Sequence, residues 1–220
     1  MTGSRIAAVL FDMDGVLTDS EPLHDHATRL VLEGVGVTWA PPGGDPYIGL
    51  TTLESFTAIC TRLSLPHDPR DLATRYLACV VPLLRAGVRP LPGVPDVLRA
   101  LRERGLRLGL ASSSCPDVIA TTLEALGVRA MFEAVVSGDE VPRGKPAPDV
   151  FVETAKRLGL PPEHCVVIED SERGVRAACA AGMRCVAIPC GATRRHDFSA
   201  ATVVLDGLPA LLDCALFASR

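Results

Sequence analysis

The chain has 220 residues, which is longer than a typical single domain and leaves room for one core plus a sizeable insertion. Its content of 48% hydrophobic and 22% charged residues is that of an ordinary soluble globular protein. The formal net charge of −4 gives no basic surface for nucleic acid, so we expect no nucleic-acid partner.

The first predicted element is a buried β-strand. Residues 6–11 are all apolar, and Asp12, Asp14 and Gly15 follow directly. The two carboxylates therefore stand where a core strand ends in a loop, which is the usual place for functional groups in an open α/β sheet. Carboxylates at the mouth of an apolar core need a positive or protonated partner. A divalent cation is the partner that this pattern favours.

Residues 20–87 show helical patterns and no strand pattern. We predict that they form a small helical cap, inserted into an α/β core made of residues 1–19 and 88–220. An insertion directly after the first strand would lie over the two aspartates and could act as a lid. The predicted helices, separated by turns rich in Pro and Gly, cover residues 21–34, 51–63 and 68–85.

The stretch at residues 39–47 lies between the first two of these helices and is rich in Gly and Pro. It is predicted to be either a substrate-specificity loop or a plain helix–helix connection. Connections are the commoner role for such segments.

From residue 90 onward, apolar runs alternate with amphipathic stretches. This alternation predicts βαβ units, and hence a doubly wound parallel sheet of the Rossmann-like α/β class. The predicted strands cover residues 106–111, 134–136, 165–168, 184–188 and 202–205. The predicted helices cover residues 95–104, 116–126, 148–158, 172–181 and 208–217.

The cysteines and the N-terminus bear on the compartment. Eight cysteines are present, but none forms a CxxC pair and none has zinc-site spacing with His. A disulfide framework is not expected at this size, so we expect a cytoplasmic protein. The apolar run before Asp12 is too short for a signal peptide or a spanning helix, so we expect no membrane partner.

Four groups of polar residues follow predicted strands or lie in the loops after them. In a doubly wound sheet such positions meet at one edge. The groups are Asp12 with Asp14, then Ser112, then Lys145, and finally Glu169 with Asp170.

This set of side chains is suited to phosphoryl transfer. A carboxylate nucleophile can form an aspartyl-phosphate, which splits a difficult hydrolysis into two easier steps. A second carboxylate two residues away can protonate the leaving oxygen and then activate water. Mg²⁺ prefers a few carboxylates together with phosphate oxygen and water, and Asp12, Glu169 and Asp170 could supply those carboxylates.

The same set can also hold a phosphate group. Lys145 and the Ser112 hydroxyl would bind its non-bridging oxygens, where such a reaction needs electrostatic stabilisation. Backbone N–H groups in the loops at Gly15 and Ser113 could complete the site.

Each group also has a purely structural interpretation. An isolated Asp-x-Asp can be a solvated turn, Ser112 can begin a serine-rich turn, and Lys145 can be an ordinary surface lysine. Asp170 can cap the helix that follows it, as Ser113 and Ser114 can cap theirs. The occurrence of all four groups together favours the chemical interpretation.

The four motifs resemble motifs one to four of the haloacid dehalogenase-like hydrolase superfamily. They are DMDGVLTDSE, the Ser after LRLGLA, the Lys of GKPAPDVF and the acidic pair of VVIEDSERGVRAA, in that order and over essentially the whole chain. The most similar group comprises helical-cap sugar-phosphate phosphatases and β-phosphoglucomutases. The resemblance implies Asp12 as nucleophile and Asp14 as acid/base. It further implies Mg²⁺ held by Asp12, the Asp14 backbone carbonyl and Asp170, and phosphate held by Ser112 and Lys145.

Several further residues are candidates for substrate or hinge contacts. His24 matches a hinge His that contacts the acid/base aspartate in mutase-like members, although a partly exposed helical His is an equal alternative. Cys115 has no evident His partner, so packing or a substrate contact is expected rather than nucleophilic attack. Ser114 and Thr52 complete this group of candidates.

The expected function is that of a Mg²⁺-dependent phosphomonoesterase acting on a small phosphorylated metabolite, best described as a sugar or polyol phosphate. The alternative is a β-phosphoglucomutase-like mutase, whose relatives carry a cap Arg and a Lys-Asn pair where this chain has Thr52 and Cys115-Pro116. A catalytically silent binding or regulatory protein is a third possibility, and Asp14 argues against a dehalogenase. We expect a monomer or a small homo-oligomer.

Overall fold

The computed structural model describes residues 5–40 and 46–217. Within these residues, six strands form one parallel sheet in the order β3-β2-β1-β4-β5-β6, which confirms the predicted doubly wound α/β class. The strands are β1 (Ala8–Phe11), β2 (Arg107–Ser112), β3 (Ala134–Ser137), β4 (Cys165–Glu169), β5 (Arg184–Ala187) and β6 (Val203–Val204).

The central strand β1 shows why this sequence forms a sheet that is covered on both faces. Its four residues are all buried, and their side chains alternate between two apolar clusters. Val9 and Phe11 belong to one cluster, while Ala8 and Leu10 belong to the other. A parallel strand covered by helices on both faces is expected to be apolar along its whole length.

The part of the chain that the structure describes contains seven α-helices, and they agree with the predicted ranges to within two residues. Such small differences are usual at helix ends. The helices are α1 (Glu21–Glu33), α2 (Thr52–Leu63), α3 (Pro69–Gly87), α4 (Val94–Glu103), α5 (Pro116–Ala125), α6 (Asp149–Arg157) and α7 (Glu172–Ala180).

The predicted C-terminal helix is wrong as an α-helix. The chain instead forms two 3₁₀ helices, Leu208–Asp213 and Ala215–Phe217, with Cys214 between them in an extended conformation. The buried residues Leu208, Leu211 and Phe217 are spaced by multiples of three, which matches the 3₁₀ repeat of three residues per turn.

Helices α1 to α3 lie between β1 and α4 in the chain, and no strand occurs among the described residues of 20–87. The segment that leaves β1 and the segment that leads into α4 are hydrogen-bonded to each other. Thr18 Oγ1 donates to the Arg89 carbonyl at 2.7 Å, and Leu91 N donates to the Leu17 carbonyl at 2.9 Å. We propose that the cap comprises residues 20–87, with the core on either side of this junction.

Two further expectations concern the stretch at residues 39–47 and the membrane. Residues 41–45, the middle of the 39–47 stretch, lie outside the described residues, so the role of that stretch stays a prediction. Across residues 5–40 and 46–217, no helix is both long enough and apolar enough to span a membrane.

Candidate active site

The predicted site residues come together at one edge of the sheet. Strands β2, β1 and β4 are neighbours in the sheet, so Ser112, Asp12 and Glu169 end or follow adjacent parallel strands. Lys145 reaches the same place from the loop between β3 and α6. A cleft of about 130 Å³ opens there, lined among others by Asp12, Asp14, Ser112, Lys145 and Asp170.

A buried ammonium group lies at the bottom of this cleft. Lys145 Nζ lies 2.5 Å from Asp12 Oδ1 and 2.6 Å from Glu169 Oε1. Lys145 is only 3% exposed and Glu169 is fully buried, so the interpretation of Lys145 as a solvated surface lysine is wrong. Few lysines are buried to this extent without an ionic partner, and this one has two.

Glu169 is held by donors on both of its carboxylate oxygens. While Oε1 contacts Lys145, Oε2 accepts from the backbone N–H groups of Asp170 and Ser171, each at 3.0 Å, and from Ser171 Oγ at 2.9 Å. Gly174 makes room for it, since a Cβ there would lie 1.8 Å from Oε1. The carboxylate is therefore fixed in position and compensated by hydrogen bonds from the two residues that precede α7.

The site holds more negative than positive charge. Asp12, Glu169 and Asp170 each offer a carboxylate oxygen within 4.8 Å of the others, whereas Lys145 is the only Lys or Arg among the described residues that line the cleft. Burial raises the pKa of Asp12 to about 8, against the lowering effect of Lys145. Burial and the neighbouring Glu169 also raise the pKa of Asp170 well above its ordinary value. Three buried carboxylates with one ammonium group fit a divalent cation, which would restore the charge balance.

The surroundings favour the charged form of Lys145, whereas they disfavour the charged forms of Asp12 and Asp170. Burial alone would lower the pKa of its ammonium group, but the negative charges of Asp12 and Glu169 outweigh burial and raise that pKa above its ordinary value. Lys145 is therefore charged at neutral pH and keeps part of its hydrogen-bonding capacity. An ammonium group has three donors, and its third N–H has only a long contact, 3.4 Å to the Ala111 carbonyl.

Asp14 faces the cleft and is fixed by side chains from both the helical segment and the core. Three groups contact its carboxylate: Ser20 Oγ, Ser114 Oγ at 3.1 Å, and His24 Nε2 at 3.2 Å. His24 Nδ1 in turn lies 2.5 Å from the hydroxyl of Tyr76 in α3. The predicted contact between His24 and the aspartate is thus present in the structure.

These contacts set the charge of the pair. Burial raises the pKa of Asp14, but the hydrogen bond from His24 and its charge outweigh burial and lower that pKa below its ordinary value. Burial lowers the pKa of His24, and the contact with Asp14 more than compensates, so the pKa of His24 is raised. One proton therefore stays on the pair of His24 and Asp14 over a wider pH range than it would stay on an isolated His.

Sequence reasoning missed the partners Ser20 and Tyr76. Ser20 precedes α1 and looks like an N-cap, but it makes no capping hydrogen bond and donates to Asp14 instead. Tyr76 occupies an ordinary buried position in a helical pattern, so no signal in the sequence pointed to it.

The serine-rich loop after β2 is used mainly at the site. Ser112 Oγ accepts from Ser114 N at 3.1 Å, and Ser113 Oγ donates to the Gly49 carbonyl at 2.8 Å. Neither Ser113 nor Ser114 caps α5, whose N-cap is Cys115 with no side-chain hydrogen bond, so the capping interpretation is wrong.

Cys115 and Thr52 occupy different positions relative to the cleft. Thr52 lines the cleft, whereas Cys115 is buried beside it and is not among the lining residues. Burial raises the pKa of the Cys115 thiol, which leaves it a packing residue with little thiolate at neutral pH.

Asp170 is oriented by groups that the sequence did not reveal. Its Oδ2 atom lies 3.2 Å from Cys190 Sγ and 3.3 Å from Thr193 Oγ1, both in the loop after β5. Capping of α7 is performed by Ser171, whose Oγ accepts from Gly174 N, so Asp170 remains available to the cleft.

A family model described as haloacid dehalogenase-like hydrolase matches residues 6–182, which include every predicted site residue. The chain belongs to this hydrolase family. The resemblance found in the four motifs is therefore confirmed, and the inserted helical segment agrees with the capped architecture expected from it.

Similar members of this hydrolase family include named phosphatases. Fructose-1-phosphate phosphatase YqaB of Escherichia coli K12 is 38% identical over 182 residues, which cover 83% of this chain and 96% of that protein. Hexitol phosphatase B of the same organism is 34% identical and the match covers 86% of each chain. The crystal structure of CbbY from Rhodobacter sphaeroides in complex with phosphate is 30% identical, with a TM-score of 0.85 and coverage of 94% of this chain and 96% of that one.

The first prediction concerns the close approach of Gly15 to Asp170. Gly15 has φ +79°, and a Cβ there would lie 2.2 Å from Asp170 Oδ2. Gly15→Ala should lower the free energy of unfolding by about 1–2 kcal/mol for the left-handed backbone, plus at least about 1 kcal/mol for the overlap. It should also weaken binding of a divalent cation to the acidic cluster, measured as the rise of Tm with Mg²⁺ concentration.

Gly36→Ala is the matched control, because Gly36 has φ +80° and nothing within 4 Å of its Cβ position. This variant should show the backbone penalty and unchanged Mg²⁺ binding. Equal behaviour of the two variants would contradict the proposed crowding of Asp170.

The second prediction concerns the ion pair between Lys145 and Glu169. Glu169→Gln should lower the free energy of unfolding by about 3 kcal/mol, since it removes a charge partner of a buried ammonium and turns an N–H₂ group toward donors. Urea denaturation measures the change. Glu133→Gln, which affects the half-exposed pair with Arg107, should cost less than about 1 kcal/mol. Similar costs for the two variants would show that Glu169 does not stabilise the site.

Proposed function

We propose that this protein is a Mg²⁺-dependent phosphomonoesterase that hydrolyses a sugar or polyol phosphate through an aspartyl-phosphate. The observation that carries the proposal is the arrangement of two carboxylates in one cleft. Asp12 contacts the Lys145 ammonium, while Asp14 is held by His24 and two serines. The family assignment and the phosphatase names of similar proteins support it.

Asp12 is the proposed nucleophile. One carboxylate oxygen attacks phosphorus, the bond from phosphorus to the ester oxygen breaks, and the acyl phosphate forms on Asp12. Attack requires the ionised carboxylate, yet burial raises the pKa of Asp12 to about 8. This pKa already includes the lowering effect of Lys145, so positive charge beyond that of Lys145 is needed near Asp12 for the reaction at neutral pH.

Asp14 is the proposed general acid and base. It delivers a proton to the departing alkoxide, and then accepts a proton from the water that attacks the acyl phosphate. Its contact with His24 places the shared proton next to the cleft, and Ser20 and Ser114 fix the orientation of the carboxylate.

The proposed Mg²⁺ ligands are Asp12, the backbone carbonyl of Asp14, and Asp170, with Glu169 as a further carboxylate within reach. Bound there, Mg²⁺ would neutralise the carboxylates and the phosphate oxygens and so stabilise the charge of the transition state.

The proposed phosphate-binding groups lie at the end of β2 and in the loop between β3 and α6. Because Ser112 Oγ accepts from Ser114 N, its own O–H is available to donate to phosphate. The third N–H of Lys145 can do the same. The backbone N–H of Ser113 completes the proposed phosphate site, while its side chain is occupied by the Gly49 carbonyl.

The mutase alternative requires a second phosphate-binding site in the cleft. Among the described residues that line the cleft, Lys145 is the only Lys or Arg, and Thr52 occupies the wall formed by α2. The sequence at residues 41–45, Pro-Pro-Gly-Gly-Asp, adds no basic side chain. We therefore favour hydrolysis, in which one phosphate site is sufficient.

The third prediction tests the nucleophile. Asp12→Asn should reduce hydrolysis of p-nitrophenyl phosphate by roughly 10⁴-fold or more, because the amide cannot form the acyl phosphate. The near-isosteric change should leave the circular dichroism spectrum unaltered. Asp19→Asn, a change of the same kind at an exposed neighbouring aspartate, serves as the control and should retain the rate. Full activity of the Asp12 variant on every ester tried would refute the mechanism.

The fourth prediction tests the metal. Treatment with a chelator should abolish p-nitrophenyl phosphate hydrolysis, and added Mg²⁺ should restore it, because three buried carboxylates cannot all stay ionised beside one ammonium. Persistent turnover after exhaustive chelation would contradict metal dependence. Binding of phosphate esters without turnover at saturating Mg²⁺ would instead indicate a silent binding protein.

A further inference from the structure

The cleft extends beyond the two aspartates along helix α1, and this extension has a chemical character of its own. Residues of α1 and its surroundings line it, and we refer to them as the distal wall: Glu21, Asp25, Thr28, Trp39 and Ser55. A helix rises 1.5 Å per residue, so Thr28 lies about 12 Å along the axis from Ser20, which contacts Asp14. Within the distal wall, Asp25 and Thr28 are therefore placed to meet the part of a substrate that leaves with the ester oxygen, while Glu21 lies beside Ser20.

Asp25 is the most firmly positioned acceptor of the distal wall. Its Oδ1 atom accepts from Trp39 Nε1 at 2.9 Å, and its Oδ2 atom accepts from Arg29 Nη2 at 3.1 Å. The Trp39 side chain is itself buried, which fixes the first of these contacts. A carboxylate has about four lone-pair sites, so two bound donors leave capacity to accept from hydroxyl groups of a ligand.

The charge of the distal wall opposes a second anionic group. Two of its members, Glu21 and Asp25, are acidic, and Thr28 and Ser55 are neutral hydroxyls. Lys145, the only Lys or Arg among the described residues that line the cleft, is already bound to Asp12 and Glu169 at the opposite end. Like charges brought together in a partly closed site repel strongly, and this repulsion is a device for specificity.

We infer that the distal wall is a hydroxyl-binding subsite that admits monophosphate esters of neutral polyhydroxy compounds and excludes esters with a second phosphate or a carboxylate. Asp25 is its specificity-determining residue. This inference rests on the proposed phosphatase function and narrows its substrate class. Hydroxyl groups donate to Asp25, whereas a second anion meets Glu21 and Asp25. Among the described residues that line the cleft, the only Lys or Arg that could bind it is Lys145, and Arg29 is paired with Asp25.

The experiment compares matched ester pairs that differ by one anionic group. The pairs are fructose 1-phosphate with fructose 1,6-bisphosphate, glucose 6-phosphate with glucose 1,6-bisphosphate, and glycerol 3-phosphate with 3-phosphoglycerate. The neutral-tailed ester should have the higher kcat/KM in each pair, by about 100-fold, and the difference should lie mainly in KM. Raising the ionic strength should shrink the ratio, because the repulsion is electrostatic.

Asp25→Asn tests the assigned residue. Removing its charge should reduce the preference for neutral-tailed esters by about tenfold, since one of the two acidic charges is lost and Arg29 loses its charge partner. The matched control is Asp96→Asn, which removes an aspartate from another Arg pair, with Arg99, on the exposed face of α4. The control should keep the wild-type ratio in every pair.

The outcomes separate the two proposals. Loss of turnover of all esters, or turnover that survives Asp12→Asn, would overturn the phosphatase proposal and the inference with it. Turnover that depends on Asp12, with equal or better kcat/KM for the doubly anionic esters, would overturn the inference alone. The wild-type ratios and their salt dependence decide this even if the Asp25 variant does not fold.

Discussion

The buried contact of Lys145 with Asp12 and Glu169 is the interaction on which the rest of the site depends. Moving an ammonium group and carboxylates out of water is costly unless every charge is compensated. Lys145 compensates two carboxylates, and donors from the start of α7 compensate the second oxygen of Glu169. Packing follows from this arrangement, because Gly174 must lack a side chain for Glu169 to sit against the helix.

The helical segment supplies hydrogen-bond partners to site residues at the edge of the sheet. Asp14 belongs to the core, yet His24 and Tyr76 from α1 and α3 organise its hydrogen bonds. Ser113 of the core also binds the Gly49 carbonyl. Part of the hydrogen bonding that orients Asp14, the proposed acid/base, therefore comes from the helical segment, and Ser114 of the core supplies another part.

The sequence could predict the strand ends but not the contacts made across the cleft. Apolar runs and their spacing were sufficient to bring Asp12 and Lys145 to one edge, because parallel strands end there by topology. Tyr76 and Thr193 were out of reach, since each becomes a site neighbour only through tertiary packing of segments distant in sequence. The C-terminal 3₁₀ helices were missed because their short apolar pattern is also compatible with an α-helix.

The central claim is that phosphate passes through a covalent bond to Asp12. Its most direct test uses Asp14→Asn with p-nitrophenyl phosphate, whose good leaving group needs little protonation, so the acyl phosphate forms but its hydrolysis lacks a base. After acid quench, borohydride reduction should convert residue 12 to homoserine, detectable by peptide mass spectrometry. Release of p-nitrophenol at the normal rate, with residue 12 unmodified at every quench time, would contradict the account.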